Sequence, residues 1–273
     1  MIVALTVAFL LAVIVGVVYI FLIMPRVSDR ADMDMLTCDY AHRGLHSKAY
    51  PENSLPAIAL AMENGFGVEL DVQMSSDGEI MVFHDQNLKR MCGVSSRIPL
   101  VKSAVLRRLP LGGTSHTVPT LEEVLSMVDG RVPILIEIKS DTKNDELCRR
   151  LADMLDTYIG VFAVASFNPQ ILAWFKRYRP RFARGQIVAK VPRVRGTKAP
   201  RLTARLLSGL LLNCLSRPDF IIINGGSMGS LSFKLCTSLF RCRGFVFTVR
   251  NQKQYRLCHS KGYYAVFEKF LPF

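Results

Sequence analysis

A closed (β/α)₈ (TIM) barrel preceded by one N-terminal transmembrane helix is the α/β architecture this sequence predicts, on three observations. Residues Ile2 to Met24 hold no charge and are dominated by Val, Ile, Leu and Ala. Beyond Val132, short β-branched runs alternate with amphipathic runs of helical period, the signature of a parallel sheet. About eight such units share roughly 240 residues, the size of a closed barrel. A doubly wound sheet would want a Gly-x-Gly-x-x-Gly turn after its first strand, and none is present.

At roughly 1.5 Å per residue the first stretch is long enough to cross a bilayer. It lacks the basic n-region and Ala-x-Ala site of a cleaved signal peptide. Arg26 and Arg30 follow it, and nothing basic but the amino terminus precedes it, so the positive-inside rule puts the bulk of the chain in the cytoplasm. The expected order is a single-pass membrane anchor at 1–25, a short polar linker at 26–36 and a barrel at 37–273. Seven cysteines occur without a Cys-x-x-Cys pair, which reads as free thiols in a reducing compartment. The net charge of +13 calls for an anionic partner: a phosphate substrate, an anionic lipid surface or nucleic acid.

Taken in order, Leu36 to Ala41 is a strand candidate ending at His42. Asn53 or Ser54 can cap a helix with the apolar face Leu55, Ile58 and Met62, and Gly65 can end it. Phe66 to Met74 alternates Val68, Leu70 and Val72 with Glu69, Asp71 and Gln73, a strand pattern. Ser76-Asp77-Gly78 is a turn and Ile80 to His84 another strand. Gln86 to Val118 has no sustained period and reads as a loop excursion. Thr120-Leu121-Glu122-Glu123 is a capping box opening a helix to Val128. Strands follow at Val132–Ile138, Val161–Ser166, Phe182–Val188, Phe220–Ile223, Gly244–Val249 and Tyr263–Phe267. Between them come helices at Asp145–Tyr158, Pro169–Arg177, Leu202–Leu215, Leu231–Phe240 and Gln252–His259.

The residues able to do chemistry concentrate at strand ends. Glu69 and Asp71 are two apart on a strand and point to the same side. Two such acids repel unless a cation lies between them, and hard divalent ions such as Mg²⁺ or Ca²⁺ favour their oxygens; the alternative is a solvated strand face. Glu137 interrupts the apolar run Ile134 to Ile138. It is either a third ligand or half of a structural ion pair with Lys139, which lies two residues on. His42 and His84 each follow a strand candidate and can exchange a proton near neutral pH. Arg43 offers a planar fork for phosphate. Glu52 either orients a histidine or ligand or simply favours a helix start.

In this order the pieces resemble the glycerophosphodiester phosphodiesterase family. They are His42-Arg43-Gly44, Pro51-Glu52-Asn53-Ser54, Glu69-Leu70-Asp71-Val72, Asp77-Gly78, His84-Asp85, Val118-Pro119-Thr120-Leu121-Glu122-Glu123, Glu137-Ile138-Lys139 and Ser166-Phe167-Asn168. The resemblance spans about Asp39 to Val249. It implies a (β/α)₈ barrel and metal-dependent hydrolysis of glycerophosphodiesters to glycerol phosphate and an alcohol. It carries the metal ligands onto Glu69, Asp71 and Glu137, the acid–base pair onto His42 and His84, and the phosphate contact onto Arg43. Whether water or the neighbouring glycerol hydroxyl attacks stays open. The family pattern Trp-Thr-Val-Asn is here Phe247-Thr248-Val249-Arg250, and its Asp-x-Pro ending of the last strand is replaced by Ala265-Val266-Phe267-Glu268-Lys269. Phe247, Arg250 and Lys139 are then expected to border the substrate, with Arg250 favouring an anionic headgroup.

Lys176 to Arg205 is densely basic and runs into Leu206-Leu207-Ser208-Gly209-Leu210-Leu211-Leu212. This stretch is expected to touch an anionic leaflet, at about 1 kcal/mol per well-placed basic residue; a solvated face is the alternative. No nucleic-acid recognition motif accompanies the charge, so nucleic acid is not an expected partner. The expected function is thus a membrane-anchored, lipid-metabolic phosphodiesterase with one divalent cation. Alternatives are lysophospholipase D-type cleavage of membrane lysophospholipids, or a non-catalytic barrel that binds lipid headgroups.

Overall fold

Short apolar runs become strands because both faces of a parallel barrel sheet are covered. The computed structural model describes residues 1–27, 33–139, 144–189 and 201–273. Its strands are β1 (Tyr40–His42), β2 (Gly67–Met74), β3 (Ile80–Val82), β4 (Ile134–Ile138), β5 (Phe162–Ser166), β6 (Ala183–Val188), β7 (Phe220–Asn224), β8 (Arg243–Val249) and β9 (Tyr264–Phe267). All but β3 pair in parallel, and β1 meets both β9 and β2, which closes an eight-stranded ring. β3 pairs antiparallel with the far end of β2, outside the ring.

The ring is a filled core. Tyr40, Leu135, Ala163, Ala165, Ala183, Ile187, Phe220, Ile222, Phe245 and Val266 form one buried cluster inside it. Large rings there need small neighbours: a Cβ on Gly185 would lie 2.2 Å from the Phe220 ring. Outward strand residues such as Val68, Leu70, Ile134, Ile136 and Val164 form a second cluster with the surrounding helices. The main helices are α1 (Ile2–Ile23), α2 (Leu55–Glu63), α3 (Leu121–Val128), α4 (Asp145–Asp156), α5 (Pro169–Tyr178), α6 (Arg201–Ser208), α7 (Asn213–Ser216), α8 (Leu231–Ser238) and α9 (Gln252–His259).

Three local expectations change. Leu36 begins no strand. Met33–Leu36 is a helical turn whose Met33 and Leu36 join the interior cluster, so barrel packing starts within the segment read as linker. The helix expected at Leu202–Leu215 breaks into α6 and α7, because Leu210 turns left-handed (φ 58°) to bury its side chain. The excursion after β3 carries its own small core of Met81, Phe83, Leu88, Ile98, Leu106, Leu111 and Val118.

α1 touches the barrel only through its last turn and the residues after it. Residues 1–18 are exposed, and Ile23 is fully buried. Tyr19 Oη lies 2.9 Å from Ser232 Oγ, and the Ile23 carbonyl accepts from Cys236 Sγ at 3.3 Å and Asn213 Nδ2 at 2.8 Å. Arg217 donates to the carbonyls of Phe21 and Met24 and stacks over the Phe21 ring. Arg26 then bonds the carbonyls of Pro218 and Pro180.

Among the described residues of the basic stretch, two arginines are paired within the barrel. Arg184 is 2% exposed and faces Asp219, and Arg179 pairs with Asp153 and Asp156. Arg30, Lys190, Arg193, Arg195, Lys198 and the Arg201 side chain lie outside the described residues.

Candidate active site

The site lies where β1, β2 and β4 end. β1 stops at His42, and the chain turns through Arg43 (φ 58°) and Gly44 (φ 78°). A Cβ on Gly44 would lie 2.6 Å from the Ala57 backbone, so only glycine lets this turn rest against α2. The turn aims the Arg43 backbone N–H at Glu69 Oε2, 3.0 Å away. The Arg43 guanidinium donates to Glu52 Oε1 at 2.7 Å and lies 3.3 Å from Asp71 Oδ2.

Strand register does the rest. It sets His42 beside Glu69, and Asp71 beside Glu137. Oxygens of Glu69, Asp71 and Glu137 lie within 4.8 Å of one another, and all three residues are buried. Asn53 holds Asp71 in place, donating Nδ2 to its Oδ2 at 2.9 Å. Lys139 Nζ is 3.0 Å from Asp71 Oδ1 and also contacts Glu137. The lysine therefore pairs with both acids, more than the single Glu137–Lys139 pair considered from sequence.

Burial, and then Asp71 and Glu137 beside it, push the Glu69 carboxyl well above the usual range. Burial would raise Asp71 too, but Lys139, His84 and Arg43 outweigh it and hold Asp71 well below. Glu137 is raised by burial against the pull of Lys139. A cluster in which neighbouring carboxyls resist shared ionisation is one that positive charge would relieve. Its donors are all carboxylate oxygens, with no sulfur, which suits Mg²⁺ or Ca²⁺. The residues fit a hard divalent cation.

Each histidine has a carboxylate of its own. His42 Nδ1 lies 2.8 Å from Glu268 Oε2, and His84 Nδ1 lies 2.8 Å from Asp85 Oδ1. With Nδ1 donating to its acid, each ring keeps Nε2 for another partner. Burial draws the His42 pKa down, against the Glu268 hydrogen bond. Burial alone would raise Glu268, yet hydrogen bonds from His42, His46 and Arg250 hold it far below the usual range.

All the residues singled out from sequence meet here. His42, Arg43, Glu69, His84, Glu137, Lys139, Phe247 and Arg250 line one cavity of about 350 Å³, and Asp71 is buried against Arg43 and Lys139. The cavity has a charged half from β1, β2 and β4, and an apolar half of Ala165, Phe167, Ile187, Ile222 and Phe247 from β5 to β8. Arg250 borders the cavity with its Nε donating to Glu268 Oε1 at 2.7 Å. Glu52 accepts from Arg43 and Arg90. Glu268 and the hold of Asn53 on Asp71 escape sequence reasoning. The one signal for Glu268 is an acid ending an apolar strand, the signal that marked Glu137.

The model of the glycerophosphoryl diester phosphodiesterase family matches residues 42–221. A glycerophosphodiester phosphodiesterase of Bacillus altitudinis is 38% identical over 114 residues, covering 38% of this chain and 45% of that protein. Human glycerophosphodiester phosphodiesterase 1 is 30% identical over 143 residues, covering 48% and 43%. The match thus spans less than half the length of these relatives. Among solved structures, an Oleispira antarctica phosphodiesterase in complex with the product sn-glycerol-3-phosphate superposes with a TM-score of 0.71 at 24% identity, over 87% of this chain and 94% of that one. A glycerophosphodiester phosphodiesterase of Thermotoga maritima gives 0.66 at 24%, over 85% and 94%. These likenesses confirm the barrel, and the family model covers well over half of the 273 residues: the chain belongs to the glycerophosphoryl diester phosphodiesterase family.

Proposed function

We propose that this protein hydrolyses glycerophosphodiesters to a glycerol phosphate and an alcohol, with one divalent cation, Mg²⁺ or Ca²⁺, on Glu69, Asp71 and Glu137. The observation that carries the reading is the convergence of those three buried acids within 4.8 Å at one end of the barrel, in a cavity shared with two carboxylate-backed histidines. When bound, the cation draws negative charge off a phosphate oxygen. Arg43 and Lys139 present positive charge to the diester from the same side. One histidine Nε2 takes the proton of the attacking oxygen and the other gives a proton to the departing alcohol. The net reaction adds water across the P–O bond: oxygen to phosphorus, hydrogen to the alcohol. Phe247 and the apolar half of the cavity take the less polar end of the substrate.

We read α1 as a single-pass anchor at residues 1–25 with the barrel, residues 37–273, on the cytoplasmic side. The apolar length and charge asymmetry support this. The test is release of free alcohol from glycerophosphocholine by the full chain, with Mg²⁺ or Ca²⁺ and with chelator. Turnover that the chelator removes and either metal restores is expected. Binding of the diester with no turnover in any metal would replace the enzyme with a headgroup-binding barrel.

A further inference from the structure

The direction in which α1 leaves the barrel is fixed by its contacts. α8 follows β7, so it starts at the end of the barrel where the strands finish, the mouth end, and runs away from it. Tyr19 meets Ser232 near the start of α8, and Ile23, one turn later, meets Cys236, one turn further along α8. The two helices therefore run the same way. After Ile23 the chain continues to Pro218 and Pro180, which precede β7 and β6 at the opposite end. Followed backwards, α1 passes the start of α8 and projects beyond the mouth.

We propose that the catalytic mouth faces the bilayer and is pressed against it, its rim on the α8 side lying in the lipid headgroups. This rests on the phosphodiesterase reading only for which end of the barrel is the catalytic one. Residues 1–18 stand clear of the barrel; at roughly 1.5 Å per residue they measure about 27 Å, close to the hydrocarbon thickness of about 30 Å. No polar spacer separates them from Tyr19, where barrel contact begins, so the mouth rim sits at headgroup level. Tyrosine suits that level. Leu231, the first residue of α8, is largely exposed beside Ser232, which meets the departing helix. An exposed leucine there has lipid to cover it. The cavity is polarised in the same sense. Its apolar half, built by β5 to β8, lies on the side of α8 and α1, while the three acids and Arg43 lie across from it.

The full-length chain in phosphatidylcholine vesicles containing palmitoyl-lysophosphatidylcholine tests this with two readouts. A photo-crosslinking amino acid replaces Leu231 at the mouth end or Leu239 at the other end of the same helix; both leucines are exposed. Lipid adducts at position 231 and none at 239 are expected. Adducts at 239 alone, or equal adducts at both, would overturn the orientation. Choline release is followed in parallel from the embedded lysolipid and from soluble glycerophosphocholine. Faster release from the embedded lipid, by about tenfold, is expected from surface concentration. Release from the soluble diester alone would overturn the membrane-facing mouth with the enzyme reading intact. Release from neither would end the enzyme reading and leave the adducts to judge orientation.

Discussion

At the scale of single residues, Glu268 does the most that the sequence did not announce. It lies 226 positions from His42, and only closure of the ring brings them to 2.8 Å. Replacing it by glutamine removes the charge that steadies a protonated His42 and keeps the shape. Glu268→Gln is expected to lower kcat roughly 10²-fold with little change in KM, read by steady-state kinetics on a soluble diester. Glu69, Asp71 and Glu137 were legible because an acid inside an apolar strand has few reasons to be there. Glu268 obeys the same logic, but its strand, β9, is short and shifts register against β8, which blurred the pattern. The role of Asn53 was illegible for another reason. Its residue type announces a helix cap, yet Ser54 takes the cap and Asn53 turns left-handed to grip Asp71.

At the scale of elements, local chemistry was the reliable guide. The capping box at Thr120 is present as read: Thr120 Oγ1 accepts from Glu123 N–H at 3.1 Å, and Glu123 Oε2 accepts from Thr120 N–H at 2.8 Å. Thr120→Ala is expected to cost about 1 kcal/mol, or roughly 2–4 °C in Tm, by thermal unfolding. Burial would raise Glu123, but the Thr120 N–H and Arg107 outweigh it and hold its pKa below the usual value. A carboxyl depressed on folding stabilises fully above its unfolded pKa and loses that contribution as pH falls through the folded one. Unfolding followed from pH 6 downward should therefore show a shallower acid slope for Glu123→Gln than for the parent. Strand limits were read within a few residues because alternation ends where burial ends. The broken helix at Leu210 was not, since a buried leucine at positive φ is a tertiary demand that propensity does not record.

At the scale of the whole molecule, the docking of α1 depends on Arg217, which reaches two of its last carbonyls. Arg217→Ala is expected to speed amide exchange in residues 19–26 about tenfold while barrel amides keep their protection, by hydrogen-exchange mass spectrometry. Unchanged exchange there would mean the helix end is held without Arg217, by Asn213, Cys236, Ser232 and the Arg26 contacts. The sequence foretold an apolar N-terminal helix and a barrel but not their mutual setting, because the contacts joining them link residues some two hundred positions apart. Closure has a consequence in time as well as in space. β1 finds its second neighbour only in β9, and His42 its carboxylate only in the residue after β9. A nascent chain still on the ribosome, with α1 and seven ring strands already made, is an open sheet in which His42 lacks Glu268. Translation must deliver residues 264–268 before the ring can close and this histidine–carboxylate pair can form.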